Sequence, residues 1–142
     1  MTVTALLAIG TACAAMTFAP MASADPTAGH EEQVNTRTPG MLCEIGSDDA
    51  SPGIGPNVVC QGIFVQAPAG YDQAFITSAG QFSYRIANIG IGDRPPDATV
   101  VPGQSYHIQG WTIVANSGAI TFTHDGTRHG MTVSSDQHVK PF

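Results

Sequence analysis

Ala119-Ile120-Thr121-Phe122-Thr123-His124-Asp125-Gly126-Thr127-Arg128-His129-Gly130-Met131-Thr132-Val133 is the stretch on which the fold turns. Ile120 and Phe122 alternate with Thr121 and Thr123; Asp125-Gly126 interrupts; Met131 and Val133 then resume the alternation. A period of two sends successive side chains to opposite faces of a strand. Asp-Gly is a strong hairpin signal, because a two-residue turn of the favoured hand needs positive φ at both positions. The expected unit is therefore an antiparallel hairpin with one apolar and one polar face. With a two-residue turn, His124 faces Thr127 and Phe122 faces His129; a four-residue loop pairs His124 with His129 and keeps the same faces. Either way, parity places His129 with Ile120, Phe122, Met131 and Val133 on the face that should be apolar.

The same texture runs outward through the chain. Short β-branched and aromatic segments, separated by Gly, Pro, Asn and Asp, predict strands at 41–45, 58–65, 73–77, 81–87, 99–101, 104–109, 111–115, 119–124 and 128–133. Phe82, Tyr84 and Ile86 share one face while Ser83 and Arg85 point the other way; Tyr106 and Ile108 likewise oppose His107. No window beyond residue 24 sustains helical spacing. Eight or nine short strands give an all-β fold, a small antiparallel β-sandwich or a β-barrel, between which the sequence does not choose. The turn formers at 46–57, and Gly92-Asp93 with Pro95-Pro96 at 90–97, predict surface loops.

The chain is expected to be exported. Residues 1–24 carry no charge, are apolar from Val3 to Ala19, and end in Ala22-Ser23-Ala24, whose small side chains suit a signal peptidase. The basic opening usual in such signals is missing from Met1-Thr2-Val3-Thr4, as it would be if translation began upstream. Thr11, Thr17 and Pro20 break the run of about 20 apolar residues that a membrane span needs. Cys13 lies inside this segment and would be lost with it. Cleavage after Ala24 leaves 118 of 142 residues, enough for one domain and too few for two. Residues 25–40, polar and nearly without aliphatic side chains, are expected to be a flexible lead to a single β domain at 41–142.

Charge and cysteines narrow the partners. All eleven acidic and all five basic side chains lie beyond Ala24, so the exported form keeps the net charge of -6. That balance opposes nucleic acid and anionic lipid, and no stretch concentrates Lys or Arg. Cys43 and Cys60 are the two remaining thiols, and in an oxidising compartment such a pair forms a disulfide. Closing that loop stabilises the fold by roughly 3 kcal/mol.

Among candidate site residues, His124 and His129 flank one turn and could present imidazoles to a metal, with His107 or His138 as a third ligand. A histidine on an apolar strand face is more often a core or turn residue, so no metal or cofactor is assigned. Trp111 could anchor a partner if exposed, but burial as the largest core side chain is the stronger expectation. For catalysis, no Gly-x-Ser-x-Gly elbow occurs, and Asp, His and Ser have no diagnostic spacing. No pair of carboxylates is singled out for glycoside hydrolysis.

Cys43-Glu44-Ile45 with Val58-Val59-Cys60-Gln61, Gly110-Trp111-Thr112-Ile113, and Phe122 to Met131 resemble segments of small exported proteins of mycobacteria and their relatives. The resemblance implies a secreted or envelope protein and lends no catalytic residue. The expected function is a secreted or cell-envelope β domain that binds an extracytoplasmic protein or small ligand without catalysis. Its candidate surface is Trp111, His124, Asp125, Arg128 and His129, with the loops 46–57 and 90–97. The alternative is a small secreted enzyme or metal-binding protein using the His124/His129 hairpin.

Overall fold

The structure, a computed structural model, describes residues 31–37, 40–47, 53–89 and 98–142. The expected export signal at 1–24, residues 48–52 of the expected loop 46–57, and the loop at 90–97 lie outside the described residues. Among the described residues there is no helix, and hence none long and apolar enough to cross a membrane. The described residues form eleven strands: β1 (Glu31–Arg37), β2 (Gly40–Gly46), β3 (Asn57–Gln61), β4 (Gln73–Thr77), β5 (Phe82–Arg85), β6 (Ala98–Val100), β7 (Ser105–Ile108), β8 (Trp111–Ala115), β9 (Ala119–His124), β10 (Gly130–Ser134) and β11 (Val139–Pro141).

They form two separate sheets, ordered β5-β4-β3-β2-β1-β6 and β11-β10-β9-β8-β7. Every pair is antiparallel except β1 with β6. The inner faces meet in one continuous core, which decides for a sandwich over a barrel. Trp111, Ile113, Ile120, Phe122, Met131 and Val133 on one sheet face Val34, Cys43, Ile45, Val58, Cys60 and Ile76 on the other, all fully buried. At about 1.5–3 kcal/mol for each large side chain removed from water, this layer is the dominant favourable term. The threonines between them stay on the solvated side, where Thr121 and Thr132 hydrogen-bond across β9 and β10 at 3.0 Å.

Cys43 and Cys60 are bonded. They sit directly opposite one another in the β2–β3 ladder, Cα to Cα 4.1 Å, both facing the core. The bridge thus fixes the register of two central strands as well as the ends of the connecting loop.

Four expectations change. Strand β1 lies inside the span expected to be a flexible lead; its seven residues pair in register with β2, and Val34, its one aliphatic side chain, is fully buried. Backbone pairing plus one anchor suffices where a neighbouring strand supplies the template. Strand β3 stops at Gln61 rather than Val65, because the Gly62 N–H turns to the Asp72 carbonyl; Phe64 enters the core while Ile63 and Val65 are exposed. Ile86, expected on the half-buried face with Phe82 and Tyr84, lies beyond the end of β5 and is exposed. Strand β11 escaped notice because it is short and ends in Pro141, yet it pairs with β10 and buries Val139.

Candidate functional site

The β9–β10 turn takes the wider of the two registers. Gly130 pairs with Thr123 and Met131 with Phe122, leaving the four-residue loop 125–128 closed by the Arg128 N–H on the His124 carbonyl (2.9 Å). The left-handed position is Arg128 (φ 68°), not Gly126. Side chains hold this loop: the Thr127 N–H donates to His124 Nδ1 (3.2 Å), and the Thr127 hydroxyl donates to the Ser78 carbonyl. The Thr127 hydroxyl also lies 3.0 Å from His124 Nδ1, so the ring is held from two sides by one residue.

Connections from both sheets gather at this end of the sandwich. The Ser78 N–H donates to the Pro56 carbonyl (2.7 Å), tying the β4–β5 turn to the loop before β3. The Asp125 N–H donates to the Gly110 carbonyl (2.9 Å), tying the hairpin tip to the β7–β8 turn. In that turn Gln109 and Gly110 both have positive φ, 49° and 79°, the two-residue geometry expected instead at Asp125-Gly126. Gly80 lies beneath the His129 ring; a Cβ there would fall 2.9 Å from His129 Cγ.

His129 therefore does not join the apolar face. It stands at the rim, beyond the last core layer, exposed and laid over Gly80. Trp111, a candidate surface residue, is fully buried, so it can contribute no contact area. It is paired across the ladder with His124, whose ring meets the indole edge-on at 5.1 Å between centroids. Trp111 thus shapes the surface only by positioning His124. Asp125 and Arg128 are exposed, as a contact surface requires.

On the outer face of β7 and β8 a polar row leads to the same tip. The Thr112 hydroxyl donates to Asp125 Oδ1, so His107 Nδ1, 3.1 Å from Thr112 Oγ1, must donate to it. The order imidazole, hydroxyl, carboxylate is the wrong one for nucleophile activation, in which the imidazole takes the hydroxyl proton and the carboxylate orients the imidazole. The row pins the tip. His138, the other candidate third ligand, lies at the opposite end beside Asp136 (3.2 Å). Among the described residues no group of three His, Cys, Asp or Glu side chains is placed to hold a metal ion.

A second feature was missed in the sequence. On the outer face of the six-stranded sheet, Arg85 lies over the Phe75 ring, its guanidinium carbon 3.2 Å from the centroid, in a groove bordered by Ile54, Asn57, Asn88 and Ile89. The only signal was that Arg85 points away from the Phe82–Tyr84 face. Nothing in the sequence told that Phe75 would be waiting there.

Comparison of the chain with protein families, with curated proteins and with solved structures finds no match. Function must accordingly be argued from the site itself.

Proposed function

We propose that this protein is an exported, non-catalytic binding module of the extracellular space or cell envelope, akin to the small exported proteins its sequence resembles, and that it meets its partner with the end of the sandwich at which four connections converge. The observation that carries this reading is the mutual locking of those connections: Pro56 to Ser78, Ser78 to Thr127, and Gly110 to Asp125. Turns fixed to one another lose little conformational entropy on binding, which is what a recognition surface on a rigid scaffold requires. Arg128, held outward in a left-handed conformation beside Asp125, His124 and His129, supplies the charge and hydrogen-bonding variety of such a surface. The buried disulfide and the apolar leader support the location, since structural disulfides persist in oxidising compartments.

Export is tested by intact-mass analysis of culture fluid, with a chain beginning at Asp25 and lacking free thiols as the expected result. Binding is tested by adding envelope fractions to the isotopically labelled protein. Amide broadening confined to residues 53–57, 78–81, 107–112 and 124–129, and abolished by Arg128→Asp, is expected. Broadening at the opposite end, around 62–72 and 134–138, would overturn the assignment of the surface.

The rival, a small secreted enzyme or metal-binding protein at the His124/His129 hairpin, draws on one fact. These two residues are direct cross-strand neighbours, with the His124 N–H bonded to the His129 carbonyl at 2.8 Å. Stoichiometric zinc in the purified protein, lost in His129→Ala, would replace the binding reading.

A further inference from the structure

The outer face of a sandwich sheet is normally solvated, yet β4 is buried on both faces. Its outward residues Gln73, Phe75 and Thr77 are only 5%, 5% and 3% exposed. In register, Glu44, Val59, Phe75 and Ser83 form one row across four strands, and Gln61, Gln73 and Arg85 form the next. Arg85 covers Phe75 from above. The segment after β5 folds back over the first row's neighbours, held by the Ile89 N–H on Gln61 Oε1 (2.9 Å). Two open grooves remain, one on each side of the Arg85–Phe75 stack, of about 210 and 270 Å³.

We infer that this stack anchors a binding site for a small organic acid, whose carboxylate engages the Arg85 fork beside the Gln73 amide. Two independent facts point to a ligand. Among the described residues, the Arg85 guanidinium has no carboxylate partner and makes no hydrogen bond; it lies over the Phe75 ring. Gln73, nine-tenths buried, lines the same groove, and its amide makes no hydrogen bond among the described residues. Its amide atoms are not among the sealed, unpartnered groups of the interior, so they reach solvent along the groove and are open to a ligand. Stacking on an aromatic ring pre-orients the planar fork and leaves its edge N–H groups free for a planar, singly charged acceptor.

Charge selects a carboxylate over phosphate. One cation stands alone in a protein of net charge -6, and no second Arg, Lys or helix terminus flanks it among the described residues of the groove. A dianion would be under-neutralised there. Glu44, on β2, stands three strand spacings from Arg85, roughly 14 Å. Its side chain lines the far end of the same groove, so the carboxylate of a ligand is placed at the Arg85 end. Burial pulls the Arg85 pKa down from its ordinary value, in keeping with a partly desolvated cation, but an arginine stays charged throughout the physiological range.

The test is an NMR titration of the purified protein with glucuronate and with N-acetylglycine, against glucose, N-acetylglycinamide and inorganic phosphate. At least one of the two acids should give saturable shifts at the Arg85 side chain, the Gln73 amide and residues 83–87, with Kd about 1 mM or tighter. Which acid responds identifies a sugar acid or an amino-acid carboxylate as the source. Arg85→Lys keeps the charge and loses the fork, and should weaken binding about tenfold. Gln73→Met keeps the volume and should weaken it several-fold. Arg128→Asp should leave it unchanged, which separates this site from the loop-end surface. No saturable shift with either acid, an equal response to the neutral analogues, or tighter binding of phosphate than of both acids would overturn the proposal.

Discussion

Strands β4 and β9 lie in opposite sheets and differ in one respect. In β9, Ile120 and Phe122 are buried while Thr121 and Thr123 are only half-buried; in β4 all five residues from Gln73 to Thr77 are buried. The first is the ordinary half-buried strand of a two-layer protein. The second needs a cover that the sheet itself does not provide, and Arg85, Ile54 and Ile89 supply it. Where a strand of a sandwich is buried on its outward face, the molecule has built something on that face. The contrast separates a scaffold from a surface with work to do, and mutation can break it.

The largest effect should come from the scaffold. Trp111→Ala removes a side chain with no exposure, so the loss should be about 3–5 kcal/mol by denaturant unfolding, with His124 set loose at the tip. Phe75→Ala is the decisive comparison. If the outward face of β4 is truly interior, it should cost about 3 kcal/mol, close to a core residue and well beyond the few tenths expected at Thr121 on the solvated face of β9. A loss below about 1 kcal/mol would mean that Arg85 shields Phe75 only nominally, and the distinction between the strands would fall.

These strands also show what could be read beforehand. In β9 and β10, the alternation of Ile120 and Phe122 with Thr121 and Thr123, and of Met131 and Val133 with Thr132, matches burial, because it reports directly on one buried face; at the tip, where His129 is exposed, it does not. The disulfide was legible from composition, since only two thiols remain once the expected leader is set aside. The loop length was not: Asp125-Gly126 satisfies a two-residue turn locally, and the wider loop is chosen by the long-range bond from Thr127 to Ser78. Strand β1 was illegible for a related reason, as its stability resides in the β2 ladder and not in its own residues. The Arg85–Phe75 stack depends on two residues in adjacent strands. Each has an unremarkable local pattern, and the register that joins them is a tertiary fact.

Gly80→Ala probes the join between the sheets at the loop end. The residue has φ +81°, and a Cβ would press on the His129 ring at 2.9 Å. Conformational strain alone should cost roughly 1–2 kcal/mol. The sharper readout is local: the His129 ring and Thr127 resonances should shift while Arg85 and Gln73 do not. Perturbation of both regions together would mean that the loop end and the groove form one coupled surface.

The smallest effect should come from the outside of the five-stranded sheet at the far end. The Ser134 hydroxyl donates to Asp136, and this bond, more than the nearby His138, holds the Asp136 carboxyl below the usual carboxylate range. Because the folded pKa is lowered, the contribution to stability is fully present above about pH 3.9, the unfolded value, and fades as pH falls through the folded one. Asp136 is exposed, so water and salt screen it, and the acid limb of the stability curve should move only slightly. Ser134→Ala should return the carboxyl toward its ordinary pKa in an NMR pH titration, and added salt should shrink the remaining difference. If Asp136 titrates normally in the unmutated protein, or ignores the loss of Ser134, the turn is looser than drawn. A markedly larger stability change would show that this edge, too, is sheltered from solvent, and outward burial would no longer set β4 apart.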